Sequence, residues 1–163
     1  MKIPVTFLPD IKLFTVSSIF RAPRYHANIF APVKFVIDTG SSVSFIGQIE
    51  AVHLRIPLHT LEKSTEQPTR GLSGGAIFLY KMSNVIFTFP NPSISQIQKI
   101  ECNKFHVGVS ASTKESSLVN VNILGNDFLI EHKFKFIANP HGESYLESIE
   151  EEKKYIGKSL NLI

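Results

Sequence analysis

The chain has 163 residues, of which 43% are hydrophobic and 19% charged, and its net charge is +3 at pH 7. This length suits a single domain that buries its own core, and the apolar content excludes an intrinsically disordered chain. The single cysteine, Cys102, excludes an intrachain disulfide and a metal cluster built from cysteines. Lysine and arginine are dispersed rather than gathered into a basic stripe, so we expect no nucleic-acid partner.

The N-terminal residues predict neither a secretory signal nor a membrane anchor. Pro4, Pro9 and Asp10 interrupt them before a long apolar run can form, and no segment approaches the length of a membrane span. The single cysteine fits a reducing compartment. We therefore expect a cytoplasmic protein with no membrane partner.

Short apolar segments separated by turn-forming residues predict an all-β fold. The chain contains 13 phenylalanines and many valines, isoleucines and threonines, which favour strands. The strand-forming segments are residues 11–20, 33–37, 76–82, 85–89, 105–109, 119–124 and 134–138. Because they do not alternate with helical segments, the pattern indicates a barrel or sandwich rather than a doubly wound sheet.

Two segments depart from the strand pattern. Residues 126–132 follow a glycine and predict a short helix. Residues 144–158 begin with Ser144 and Glu147 in a capping-box arrangement, which predicts a C-terminal helix or an extension beyond the barrel. The predicted organisation is an N-terminal strand or extension at 1–31, a domain at 32–138 and a C-terminal extension, mainly helical, at 139–163.

The segment with the strongest chemical signal is residues 35–42, Phe-Val-Ile-Asp-Thr-Gly-Ser-Ser. Three apolar residues deliver an acid, Asp38, to the end of a buried strand, where its charged form is disfavoured unless donors surround it. Gly40 lets backbone N–H groups approach the carboxylate, and Thr39 and Ser41 add hydroxyl donors. The pattern predicts a fixed, partly desolvated carboxylate. An ordinary turn, in which Asp38 bonds its own backbone, is the alternative interpretation.

Residues 36–42 resemble the active-site motif of aspartic proteases. Two further segments fit the single-domain retroviral type, the retropepsins, in the same order along the chain. Residues 123–129, Ile-Leu-Gly-Asn-Asp-Phe-Leu, resemble the second motif, whose glycine precedes the C-terminal helix, and residues 70–77 resemble a glycine-rich flap tip. The resemblance covers residues 32–137 and implies a closed acid-protease barrel.

The resemblance implies roles for the residues of the first motif. Asp38 is the expected catalytic aspartate, and Thr39 is expected to bond across to the same turn of a partner. Gly40 is expected to donate its N–H near the carboxylates, and Ser41 to bond the outer carboxylate oxygen.

The resemblance also assigns the second motif and the flap. Gly125 is expected to pack against the active-site turn and support it. Asn126 stands where retroviral enzymes often carry arginine, so the support that arginine gives to the loop is in doubt for this chain. The expected flap, which closes over substrate, comprises Gly71, Leu72, Ser73, Gly74 and Gly75.

A single Asp-Thr-Gly motif implies a homodimer. Hydrolysis of this type uses two carboxylates that share one proton, one acting as a base on water and the other polarising the scissile carbonyl. The chain offers one such motif, so a second copy must supply the other acid across a twofold axis. The expected function is a homodimeric aspartic endopeptidase that binds an extended peptide or protein substrate.

Two other functions stay open at this point. One is a dimeric binding or assembly module that keeps the fold but has lost efficient proteolysis. Tight binding of a pepstatin-type inhibitor together with blocked cleavage of an unfolded protein would favour the enzyme over this module. A protease that acts only on its own precursor would cleave itself at a terminus. Apolar residues near the motif, Val43, Phe45, Ile77 and Phe78, are candidates for substrate pockets, although core packing is favoured for each.

The remaining chemistry-bearing residues predict no other site. No pair of the six histidines has the spacing of ligands on one helix, so we expect no metal and no cofactor. Ser41, Ser42 and Ser44 lack the glycine pattern of a serine hydrolase. Cys102 is expected to be inert, and Asp127 to be structural.

Overall fold

The computed structural model describes residues 2–25, 29–65, 69–70, 75–90, 98–112 and 119–149, which form two mixed sheets and short helices. The larger sheet contains β1 (Lys2–Leu8), β2 (Leu13–Arg21), β3 (Phe30–Ile37), β7 (Val85–Phe89), β8 (Gln98–Cys102), β10 (Ile123–Leu124), β11 (Phe134–Ile137) and β12 (Ser144–Ser148). The smaller sheet contains β4 (Ile46–Gly47), β5 (Thr69–Arg70), β6 (Ala76–Met82) and β9 (Phe105–Ser110).

Strand β2 organises the larger sheet. One of its edges pairs antiparallel with β3 over residues 15–21, and the other edge is shared between β1 near its start and β7 near its end. From Val16 onward its buried residues alternate with more exposed ones, as expected for a strand with one face on the core. β3 is thereby held in register in the middle of the sheet, and its end is the starting point of the predicted motif.

The helices are short. Helix α1 (Gln48–His53) follows β4 directly, a 3-10 helix spans Leu58–Thr60, and helix α2 (Asn126–Glu131) follows β10. The predicted helix at 126–132 is thus confirmed. Strand β10 covers only the last two residues of the predicted strand at 119–124.

Aromatic rings fill the main core. The ring of Phe87 lies 5.2–5.7 Å, between centroids, from four other rings in edge-on arrangements. These rings belong to Phe20, Phe35, Phe105 and Phe128, and all five side chains are buried. Such pairs add about 0.5–1.5 kcal/mol each beyond the burial of their area. Because Phe35 lies on β3 and Phe128 on α2, one cluster fixes both segments that carry the motifs.

The predicted helix beginning at Ser144 is wrong in its first turn, since residues 144–148 form strand β12 between β1 and β11. Ser144 and Leu146 are buried and alternate with more exposed residues, and Glu147 lies 3.9 Å from Lys2 Nζ and 3.6 Å from Lys135 Nζ. The Ser144 hydroxyl donates to the carbonyl oxygen of Asn139 instead of capping a helix. Pairing on both edges therefore outweighs the local capping signal. Residues 150–158 of that prediction lie outside the described residues.

The mostly β architecture agrees with the sequence prediction. Within the described ranges neither sheet closes on itself, so the closed barrel is not confirmed. β1 and β12, which lie outside the predicted 32–138 domain, pair with each other and belong to the sheet of β3, while the domain boundaries themselves stay a prediction. None of the helices in the described part of the chain is long and apolar enough to cross a bilayer.

Candidate active site

Asp38 stands at the point where β3 leaves the core. In β3 the buried residues Val33, Phe35 and Ile37 alternate with more exposed ones, and the backbone turns immediately after Ile37. Asp38, Thr39 and Gly40 are all exposed. Among the described residues no second surface covers the loop, so the partial desolvation that the sequence predicts for the carboxylate is not found there.

Strand β10 holds both ends of the loop that carries Asp38, which comprises residues 38–44 and is called the Asp38 loop below. It runs parallel to β3, and the backbone N–H of Asp38 donates to the carbonyl oxygen of Leu124 at 3.1 Å. On the other side of the loop, Phe45 and Ile123 exchange two backbone hydrogen bonds of 3.0 and 2.8 Å. The chain entering and the chain leaving the loop are thus tied to the same two-residue strand, which limits the loop's freedom to move.

Hydrogen bonds within the loop orient the carboxylate. The backbone N–H of Gly40 donates to Asp38 Oδ1 at 2.9 Å, and the N–H of Ser41 donates to the carbonyl oxygen of Asp38 at 3.1 Å. The hydroxyl of Ser41 donates to the carbonyl oxygen of Val43 at 2.8 Å rather than to the carboxylate expected from the resemblance. One carboxylate oxygen therefore has a fixed donor, and the catalytic roles of these residues stay a prediction.

Gly125 and Asn126 pack against the backbone of the loop. A Cβ atom on Gly125 would lie 2.7 Å from the carbonyl oxygen of Ser41 and 3.0 Å from that of Val43, so the close approach requires glycine. Asn126 donates its backbone N–H to the carbonyl oxygen of Ser41 at 2.8 Å and its Nδ2 to that of Thr39 at 2.6 Å. The asparagine thus contacts the loop directly, at the position where support of the loop was in doubt.

The buried Ser44 and the half-buried Asp127 form a hydrogen-bonded link that the sequence did not reveal as part of the site. The Ser44 hydroxyl donates to Asp127 Oδ1 at 2.5 Å and accepts the backbone N–H of Gly125 at 2.8 Å. The N–H of Ser44 donates to Asp127 Oδ2 at 2.9 Å, and Asp127 Oδ1 also accepts the N–H of Phe128 at the start of α2. Asp127 is therefore structural, as predicted, and it joins α2 to the loop.

Asn122 is a further residue that sequence reasoning missed. Its side chain is buried, Oδ1 accepts the backbone N–H of Gly47 at 2.8 Å, and Nδ2 donates to the carbonyl oxygen of Lys34 at 3.0 Å. It therefore bridges β4 and β3, one from each sheet. Its position directly before the predicted second motif is the signal that could have drawn attention to it.

The segment predicted as a flap connects two paired strands. β5 and β6 run antiparallel, with Thr69 opposite Ile77 and Arg70 opposite Ala76. Gly71, Leu72, Ser73 and Gly74 lie outside the described residues, and Gly75 is exposed. The two strands that flank the predicted flap are thus paired as in a hairpin. The function of residues 71–75 as a flap stays a prediction.

The apolar residues proposed for substrate pockets divide between core and surface. Phe45 and Ile77 are buried in a small cluster with Ile123, against which the half-buried Val43 packs. Phe78 is half-buried, and the ammonium group of Lys63 lies 3.5 Å from the centre of its ring. Phe45 and Ile77 therefore belong to the core that packs against the loop. Of the four candidates, only Val43 and Phe78 keep accessible surface.

The overall fold of the chain is similar to that of a known structure. The crystal structure of a retropepsin-like aspartic protease from Rickettsia conorii aligns with the chain over 90% of each, with a TM-score of 0.51 and 18% sequence identity. The chain resembles a retropepsin-like aspartic protease in its fold. No protein-family model and no curated protein matches the sequence, so the likeness concerns the fold alone.

An exposed carboxylate on a loop that is held by backbone hydrogen bonds is available for acid–base chemistry. The Asp38 carboxylate is accessible to water and to a second protein surface, and the backbone behind it is fixed by β10, Gly125 and Asn126. Preorganisation of this kind is what general acid–base catalysis requires. One such group alone cannot serve as base and acid at once.

Proposed function

We propose that the protein is a homodimeric aspartic endopeptidase. In this proposal two Asp38 carboxylates, one from each protomer, activate the water that attacks the peptide bond. The proposal rests on the placement of Asp38, whose carboxylate is exposed at the end of a buried strand and held by the Gly40 N–H at 2.9 Å. The retropepsin-like fold supports it.

The proposed chemistry divides the work between the two acids. One carboxylate removes a proton from water, while the protonated carboxyl of the partner donates a hydrogen bond to the scissile carbonyl oxygen. Two acids a few ångströms apart share one proton because both cannot ionise cheaply. The exposed side of the loop leaves the face of Asp38 available to the second protomer.

Substrate binding is assigned to the hairpin of β5 and β6. An extended peptide pairs by backbone hydrogen bonds with a hairpin above it, and alternate side chains enter pockets on either side. Gly71, Leu72, Ser73, Gly74 and Gly75 form the proposed contact. Val43 and Phe78 are the candidate lining residues that retain accessible surface.

Replacement of the proposed catalytic acid is the first test. We expect Asp38→Asn to abolish cleavage of an unfolded protein substrate, because it removes both ionisable groups of the dimer. Asp10→Asn is the matched control, since Asp10 is exposed on the turn between β1 and β2. Retained cleavage by Asp38→Asn would refute the assignment. Tight pepstatin binding without cleavage by the wild type would indicate the binding module instead.

A mixing experiment tests whether the two acids come from two chains. Equal amounts of wild-type and Asp38→Asn protein are equilibrated at a fixed total concentration above that at which dimers dissociate. If only dimers with two Asp38 residues cleave, activity falls to about one quarter of the pure wild-type value, because random pairing gives that share of intact dimers. Activity of about one half would show that each chain works independently and would overturn the dimer.

A further inference from the structure

A cluster of three metal-ligating side chains lies at the far end of α2 from the Asp38 loop. Cys102 ends β8, Glu131 ends α2, and His132 follows it. One potential ligand atom from each residue lies within 4.8 Å of the others. Cys102 is buried, His132 is half-buried and Glu131 is exposed, so the donors reach from the core to solvent.

The imidazole of His132 carries an unsatisfied atom. Its Nε2 is buried and has no hydrogen-bond partner among the described residues, a condition that is unfavourable for a polar group. The ring packs on Phe128, with centroids 4.6 Å apart, and so has a defined orientation. Burial lowers the pKa of His132, although the nearby Glu131 and Asp127 oppose this effect, and the neutral ring is the form that binds metals.

The thiol of Cys102 is the only sulfur donor of its kind in the chain. It donates to the carbonyl oxygen of Lys104 at 3.3 Å. Burial, with a further effect of the Glu131 charge, raises the pKa of this thiol to about 12, so it is protonated and inert without a metal. A bound cation reverses this balance, because metal coordination deprotonates a thiol.

We propose that Cys102, Glu131 and His132 bind a divalent transition metal ion of the zinc type. Thiolate, carboxylate and neutral imidazole bring two negative charges to a dication, so the site becomes neutral as the thiol proton passes to solvent. Zinc takes these donors at about 2.0–2.3 Å, which places neighbouring ligand atoms about 3.3–3.7 Å apart. Because the three ligand atoms lie within 4.8 Å of one another, coordination requires only a small approach, to which the exposed Glu131 side chain contributes.

Binding here would stabilise the element that supports the Asp38 loop. α2 begins with Asn126 and Asp127, which contact that loop, and ends at the proposed metal ligands. A ligand that binds the folded chain alone stabilises it in proportion to the logarithm of its concentration. The metal would thus strengthen the attachment of α2 to β8 without taking part in peptide hydrolysis.

Cobalt(II) titration of chelator-treated full-length protein tests the site. We expect one equivalent to bind with a thiolate-to-cobalt charge-transfer band in the near ultraviolet, and zinc to displace it. Cys102→Ser should lose the band. Glu131→Gln and His132→Gln should bind about tenfold or more weakly, as changes even to outer-shell partners of metal sites do. His141→Gln is the control, because His141 is exposed on the turn between β11 and β12.

The outcomes separate this proposal from an adventitious thiol complex. A wild-type protein without the band at saturating cobalt would overturn it, and so would a His132→Gln protein that binds as tightly as the wild type. Circular dichroism of each variant verifies the fold, and Glu131→Gln changes only an exposed side chain. The absorption band does not depend on cleavage, so failure here leaves the protease proposal untouched, and the reverse also holds.

Discussion

Replacing Gly125 with alanine should destabilise the protein, although its backbone conformation alone favours the change. Its φ of −94° and ψ of −171° suit any residue, so alanine would ordinarily add about 0.4–1 kcal/mol of stability. Here the new Cβ would lie 2.7 Å from the Ser41 carbonyl oxygen and 3.0 Å from that of Val43. Both obstacles are backbone atoms of the tied loop, and overpacking of this kind costs about 1–3 kcal/mol.

A second cost comes from the hydrogen bond that the same residue makes. Moving Gly125 away from the loop lengthens the 2.8 Å bond from its N–H to Ser44 Oγ, which contributes about 1 kcal/mol. The net expectation is a loss of about 1–3 kcal/mol in the free energy of unfolding. It is measured by urea denaturation followed by circular dichroism, at one protein concentration because the proposed dimerisation would contribute to stability.

Gly40→Ala provides the matched control within the same loop. Its Cβ would meet only Asp38 Oδ1, at 3.1 Å, and a side-chain oxygen can turn aside. We expect its unfolding free energy to change by no more than about 0.5 kcal/mol. If Gly125→Ala proved as stable as Gly40→Ala, the close approach of Gly125 to the loop would not be rigid, and the reasoning would fail.

Three further predictions test the surroundings of the loop and the end of α2. Ser44→Ala leaves the Gly125 N–H and Asp127 without their shared hydroxyl and should cost about 1–3 kcal/mol in urea denaturation, whereas the exposed Ser42→Ala should cost under about 0.5 kcal/mol. Equal losses of stability in the two variants would contradict the structural role of the Ser44 hydroxyl. Cys102 should react with a thiol reagent at pH 8, with chelator present, at least about tenfold more slowly than a thiol of pKa 9, because burial raises its pKa to about 12, and rapid reaction without urea would oppose this. His132 should reduce stability below about pH 6.5, since burial lowers its pKa in the folded state and the unfolded chain binds the proton first. The unfolding free energy should therefore fall less steeply from pH 7 to pH 5.5 in His132→Gln, and identical slopes would refute it.

The parts of the fold that the sequence predicted are those with strong local signals. The short apolar segment at residues 33–37 marked the second half of β3, and the glycine before residue 126 marked the start of α2. The apolar run ending in Asp38 located the loop because a buried strand must leave the core where polar residues begin. In each case neighbours in the chain carry the information.

The failures arise where partners distant in sequence decide the outcome. Ser144 and Glu147 form a convincing local cap, yet β1 and β11 provide hydrogen bonds on both edges of this segment, and Leu146 is buried as a strand residue. Ser41 was expected to face the carboxylate, but its hydroxyl finds Val43 two residues later. A local sequence pattern does not show which of several possible hydrogen-bond partners a residue will use in the folded chain.

The order of residues alone determined that Asp38 ends a buried strand, that glycine and hydroxyl side chains follow it, and that the chain supplies one such motif. Only the tertiary structure decided that β10 holds both ends of the loop, that Asn126 contacts Thr39, and that Ser44 connects Gly125 to Asp127. These contacts join residues more than 70 positions apart, and their geometry depends on how the two sheets pack around the phenylalanine core. The spacing of residues along the chain determines which chemical groups surround Asp38, whereas the rigidity of its loop and the exposure of its carboxylate follow from packing.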